Sequence, residues 1–191
     1  MGCASSSSTA TPVNAIESVT EIGGEPDEEP VLRSLRSLRE SQLDRTSLKD
    51  QTLPVRVVAV LDGDTIMVAY FLGDSTTHLV EDVRLFGIDA PECRPRRHEL
   101  AELEADAGRA VKRHVTELLQ GKIIDARFLH KEKFGRQLAW VWLDSKPHRA
   151  TRPLADTLNQ QLLEQMLAKP YKGEKKQPWT QEQLEAILDR L

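Results

Sequence analysis

Three short runs carry residue types suited to work on a phosphate: Leu61-Asp62-Gly63-Asp64-Thr65, the stretch from Arg84 to Glu92, and Lys133-Phe134-Gly135-Arg136. Asp64 and Asp89 offer hard oxygen ligands. With a backbone carbonyl and several waters, they would suit a cation such as Ca2+. Arg84 and Arg136 present planar guanidinium forks that match phosphate oxygens and stay charged at any relevant pH. Placed on two sides of a phosphorus centre, they would stabilise the charge gathering on its equatorial oxygens. Glu92 follows Pro91, whose ring fixes the backbone just before it, and could accept a proton from an attacking water or only position that water. Each run has a plainer reading as well. Asp-Gly-Asp is a frequent hairpin turn, a lone arginine is usually a solvated surface group, and Glu92 taken singly is an ordinary loop residue.

These residues need a scaffold that brings them together, and the hydropathy pattern supplies one. Val55, Val57, Val58 and Val60 form a β-branched run, and Ile66, Val68, Tyr70 and Leu72 alternate in the next. Gly73-Asp74-Ser75 signals a turn, and His78 to Leu85 reads as a third strand of an antiparallel meander. In that meander Asp64 lies between two strands and Asp89 at the end of the third, so both carboxylates reach the same rim. Leu100, Leu103, Ala107, Val111, Val115 and Leu118 then mark one face of a long helix that stops at Gly121. Lys122 to Leu129 and Gln137 to Leu143 read as two more strands. A helix is expected from about Pro153 to Ala168, with Leu154, Leu158, Leu162 and Leu167 towards the core. A last helix starts at Thr180, where Thr180 and Gln183 form a capping-box pattern. The expectation is an α+β chain built on a five-stranded Greek-key β-barrel of the OB type with three helices.

The 191 residues hold one ordinary domain with extensions, and 39% apolar against 29% charged residues suits a globular core with polar appendages. No run approaches the roughly 18 apolar residues of a membrane span, and no apolar stretch near the start reads as a secretory signal. Cys3 and Cys93 follow no metal-ligand spacing and are not expected to pair, which suits a reducing compartment. Residues 1–50 carry 9 acidic and 5 basic side chains, whereas residues 51–191 carry 21 of each. A neutral domain lacks the broad basic field of a tight non-specific nucleic-acid binder, so phosphate attraction must come from placed arginines and a cation. Residues 1–30, rich in serine and ending in Glu25-Pro26-Asp27-Glu28-Glu29-Pro30, are expected to be disordered. Leu32, Leu35 and Leu38 beside Arg33, Arg36 and Arg39 suggest a short basic helix within 31–49. The division is therefore an extension over 1–50 and a folded domain over 51–191.

The three runs, in this order and on these strands, resemble the active site of the staphylococcal nuclease family from about Pro54 to Tyr171. The resemblance implies an OB-fold nuclease that hydrolyses DNA and RNA with Ca2+. By matching position, Asp64, Asp89 and the Ala90 carbonyl would hold the cation, Arg84 and Arg136 would be the catalytic arginines, and Glu92 the proposed general base. Water would attack phosphorus and expel the 5′-oxygen, leaving 3′-phosphate ends. Lys133, Phe134 and Tyr171 would contact the substrate. Phe134 stands where the family has Tyr, Ala90 where it has Thr, and Met166 where it often has Gly; Tyr171 is out of clean register. The segment from Asp144 to Asn159 is longer than its counterpart, and Lys146, His148, Arg149 and Arg152 could add phosphate contacts or lie in a solvated loop. The competing reading is an inactive OB-fold module that binds RNA or a protein partner.

Met1-Gly2-Cys3-Ala4-Ser5-Ser6 fits the pattern for N-myristoylation at Gly2, with Cys3 as an acceptor for palmitate. Two acyl chains anchor stably where one does not. The expectation is a monomeric nuclease on the cytosolic face of a membrane, the plasma membrane being the candidate, whose weak open cation site makes activity depend on calcium release.

Overall fold

The alternation of Val55 and Val57, both buried, against exposed Arg56 and Val58 opens the fold in the computed structural model, which describes residues 47–71, 78–146 and 152–191. Strand β1 (Thr52–Asp62) pairs antiparallel with β2 (Thr65–Phe71), and β2 pairs with β3 (His78–Leu85). The register of β1 against β2 shifts between Val57 and Ala59 and again between Val60 and Asp62. A bulge of this kind adds one residue and reverses which side chains face in. Val58 is turned out by plain alternation, and the extra residue lets Val60 face inside after it. All four valines are strand residues, as their β-branching suggests, but only three serve the core.

After β3 the chain makes a two-residue strand, β4 (Ile88–Asp89), and then helix α1 (Ala101–Leu119). Ala107, Val111 and Val115 recur every fourth residue on its buried face, with Leu119 completing it in place of Leu118. Strand β5 (Ile123–Lys131) pairs antiparallel with β1, and β6 (Gln137–Val141) joins β5 antiparallel and β3 parallel. The strands close as β1-β2-β3-β6-β5, a five-stranded barrel of the OB type. Its interior holds Val57, Ile66, Val68, Leu85, Ile124 and Phe128, and each such fully buried aliphatic or aromatic side chain contributes about 1.5–3 kcal/mol.

The helix expected over 153–168 is shorter and later. A single 3-10 turn (Leu154–Asp156) precedes α2 (Leu158–Glu164), and Leu154 is exposed. Thr157 makes the break: its backbone is extended, its hydroxyl bonds the Leu154 carbonyl at 2.6 Å, and the same oxygen accepts from Gln160 N. Helix α2 then ends in a Schellman turn, with Leu167 N donating to Leu162 O at 2.8 Å and Met166 N to Leu163 O at 3.0 Å. Met166 takes φ +55 there, the left-handed conformation that explains why glycine suits this position. Asn159 is fully buried and ties α2 to the parallel strand pair. Its amide donates to Phe86 O and Ala139 O at 2.9 and 3.1 Å, and its carbonyl accepts from Val141 N at 3.1 Å.

Strand β7 (Lys169–Pro170) pairs antiparallel with β4, and α3 (Gln181–Arg190) starts with the full Thr180–Gln183 capping box. Helices α1 and α3 pack against each other, with α1 also on β1. The three α-helices are those of the described residues. Of the basic helix expected over 31–49, residues 47–49 are described and are not helical; Leu48 instead packs into the core. The disorder expected over 1–30, the turn at Gly73-Asp74-Ser75, and His148 and Arg149 lie outside the described residues.

Candidate active site

Gly63 brings the first run to the rim. It is buried, and a Cβ built on it would sit 2.9 Å from both Ala90 Cβ and Val111 Cγ1. The Asp62-Gly63-Asp64 turn therefore needs glycine for close approach to β4 and α1, which a free-standing hairpin turn would not. That approach carries Asp64 inward, where only 5% of the residue is exposed.

Arg84, at the buried end of β3, gathers both carboxylates. Its Nη1 donates to Asp64 Oδ1 at 3.0 Å, and its Nη2 lies 2.9 Å from Asp64 Oδ2 and 3.1 Å from Asp89 Oδ1. Nη2 also reaches the Ile88 carbonyl at 3.3 Å. The register explains the meeting: Arg84 pairs across the ladder with Thr65, next to Asp64, and β4 follows within four residues. Thr65 Oγ1 donates to Asp64 Oδ1 at 2.8 Å, and the Ala90 amide donates to Asp64 Oδ2 at 3.3 Å. Burial raises the Asp64 pKa above the usual carboxylate value, against the lowering pull of Arg84 and Thr65. Burial opposes the Arg84 charge too, but Asp64 and Asp89 hold it above the ordinary guanidinium range. Taking these charges out of water costs several kcal/mol per ion by typical values, which suits a site kept for chemistry better than one kept for stability.

Glu92 sits on the loop between β4 and α1, and that loop is fixed from α1. Glu104, itself buried, accepts from Glu92 N at 3.3 Å and meets His98 Nε2 at 2.9 Å. The Glu92 side chain remains 43% exposed. Between it and Asp89 stands Lys176, whose ammonium is 2.7 Å from Asp89 Oδ1 and also bonds Glu92 Oε1. Sequence reasoning missed Lys176, Glu104 and the β4–β7 pair. The pair matters because Asp89 faces Lys169 across it, so the segment carrying Tyr171 and Lys176 is laid against the rim.

Tyr171 is brought to the site. Its amide donates to Gly87 O at 2.9 Å, and its ring centroid lies 5.5 Å from the Arg84 guanidinium carbon. Arg136 follows Gly135 (φ +86) in the β5–β6 turn. Its Nε bonds Glu132, and its Nη1 is 3.4 Å from Thr65 Oγ1, one hydroxyl away from Asp64. Lys133 and Phe134 stand apart from the carboxylates: Phe134 is 72% exposed, with the Lys133 ammonium 5.0 Å from its ring centre. The described part of the long loop is less free than its basic residues suggest. Arg152 is 3.2 Å from buried Asp125, bonds Asp144, and lies 5.1 Å over the Trp142 ring. Lys146 Nζ is 3.7 Å from Asp144. Gly2 and Cys3 lie outside the described residues.

Among the described residues no three acidic, histidine or cysteine side chains converge closely enough to hold a metal unaided. Two carboxylates do converge, the neighbouring side-chain donor is the Thr65 hydroxyl, and one carboxylate has already drawn in an ammonium. An all-oxygen set with few protein ligands fits a hard cation that keeps several waters.

The family model described as staphylococcal nuclease homologue matches residues 82–189. That span includes Arg84, Asp89, Glu92, Arg136 and Tyr171, and begins after Asp64. A thermonuclease from Staphylococcus hyicus is 31% identical over 88 residues, which cover 46% of this chain and 47% of that protein. The similarity thus spans about half the length of the curated relative.

Proposed function

Because the chain belongs to the family of staphylococcal nuclease homologues, we propose that its rim site hydrolyses phosphodiester bonds of DNA or RNA with little sequence preference. The observation that carries this reading is the Arg84 guanidinium bridging two buried carboxylates at one rim, with Glu92 joined to the same cluster through Lys176. Asp64 and Asp89, with the Ala90 carbonyl, would hold Ca2+, which when bound supplies positive charge beside the phosphate and makes water more acidic. Arg136 would exchange Glu132 for a phosphate oxygen, and Arg84 would give part of its carboxylate bonding to another. Together they would offset charge on the equatorial oxygens. Glu92, reachable from solvent, would take the proton of the attacking water. The new bond forms between water oxygen and phosphorus while the bond to the 5′-oxygen breaks. Phe134 would offer a ring for a base to stack on, without the hydroxyl of a tyrosine.

Digestion of plasmid and RNA by the folded protein, with Ca2+ and with EDTA, tests this. Cleavage confined to the Ca2+ samples is expected. Retention of RNA without cleavage in either sample would instead favour the inactive binding module.

The reading extends to location. Acylation at Gly2 and Cys3 would hold the enzyme on the cytosolic face of a membrane, and no described helix is long and apolar enough to cross one. Gly2→Ala should move the protein to the soluble fraction, and unchanged membrane association would reject the anchor.

A further inference from the structure

Lys176 stands at the rim, and the nuclease reading gives it no task. Its ammonium lies 2.7 Å from Asp89 Oδ1 and bonds Glu92 Oε1, so it occupies the space between the two carboxylates that face solvent least and most in this cluster. Ca2+ binds carboxylate oxygens at about 2.3–2.6 Å, so at Asp89 Oδ1, which already takes both Arg84 and Lys176, it would sit directly beside the ammonium. Like charges that close repel strongly even at the higher effective dielectric of a protein surface. Each therefore weakens the hold of the other.

The chain around Lys176 is arranged for the side chain to give way. Lys169 Nζ bonds the carbonyls of Gln177 and Pro178 at 3.0 and 2.9 Å and lies 4.0 Å from the Trp179 ring centre. Trp179 is itself buried. The backbone just after Lys176 is thereby pinned, whereas the Lys176 side chain is 41% exposed on a flexible four-carbon stem. Charge points the same way. Asp64, Asp89 and Glu92 face Arg84 and Lys176, so two cations already neutralise most of three carboxylates before any metal arrives.

We propose that Lys176 is a tethered competitor for the divalent cation, filling the Asp89–Glu92 position when the metal is absent and setting a higher cation concentration for occupancy. This rests on the rim being a cation site, and it adds which residue of the chain tunes that site. A protein so built answers to a higher calcium level than the same rim without the lysine, because the cation binds against an internal ammonium.

Calorimetric titration of Ca2+ into the whole protein, without nucleic acid, tests it. Lys176→Met and Lys176→Gln should each bind Ca2+ about twofold to fivefold more tightly than wild type, the scale of a partly exposed ion pair. Lys175→Met should leave the affinity unchanged, and Asp89→Asn should abolish the gain. Equal or weaker binding by both Lys176 variants, with wild type binding normally, overturns the competitor and leaves the nuclease reading intact. Absence of binding in wild type and both variants overturns the cation site itself and the competitor with it.

Discussion

Gly108 of α1 lies directly against the backbone of Glu92. A Cβ built on Gly108 would stand 2.7 Å from the Glu92 carbonyl carbon and oxygen, and 2.7 Å from Pro91 O. Ordinarily Gly→Ala inside a helix stabilises by about 0.5–1 kcal/mol. Here the neighbours are backbone atoms that cannot rotate away, so the sign reverses. Gly108→Ala should lose about 1–3 kcal/mol, the usual range for overpacking. Urea unfolding reads the stability, and cleavage should fall with it because Glu92 must shift.

Arg84 serves fold and site at once. Arg84→Ala would leave Asp64 and Asp89 buried without their shared partner, and breaking a buried pair from one side typically costs about 3–5 kcal/mol. Arg84→Lys keeps the charge but not the fork. It should recover part of the stability and little of the activity. Denaturant midpoints beside cleavage rates separate the two effects.

Met166 is a place where the sequence can be improved. Its φ of +55 is costly for a residue with a Cβ, and the side chain is 59% exposed. Met166→Gly should stabilise the protein by about 0.5–1 kcal/mol. Activity should not change, since the residue caps α2 and touches no member of the site.

Cys93 should be a poor nucleophile. Burial and the neighbouring Asp62 carboxylate push its thiol up to about 12, so almost no thiolate exists near neutral pH. In a Cys3→Ser background, iodoacetamide at pH 8 should label Cys93 at least about tenfold more slowly than a free cysteine thiol. Asp62→Asn should speed the reaction, because one of the two causes is removed.

Much of this was legible before any coordinates. Alternation at Ile66, Val68 and Tyr70 fixed β2, four-residue spacing at Ala107, Val111 and Val115 fixed α1, and Thr180 with Gln183 fixed the start of α3. Asp64, Arg84 and Asp89 could be placed together because two of them flank a strand ladder and the third follows closely. What escaped had no periodic signal. Lys176 reaches Glu92 from 84 residues away, in a polar stretch whose lysines all look solvated. The β4–β7 pair is only two residues long on each side, too short for alternation to show. The split at Thr157 escaped because Leu154 continues the helical spacing, while the Thr157 hydroxyl closes a local turn instead. Gly63 reads as a turn former and Gly108 gives no signal of its own within the helical pattern, when both are needed for what passes beside them.

In the proposed reaction this rim cleaves nucleic acid with Glu92 handling the water. Its most direct test is the single-turnover cleavage rate of an end-labelled oligonucleotide in saturating Ca2+, for wild type and for Glu92→Gln of equal stability. General-base assistance contributes typically about 10²–10⁴-fold, so Glu92→Gln should cleave at least about a hundredfold more slowly. Cleavage at the wild-type rate by Glu92→Gln would contradict that role for Glu92.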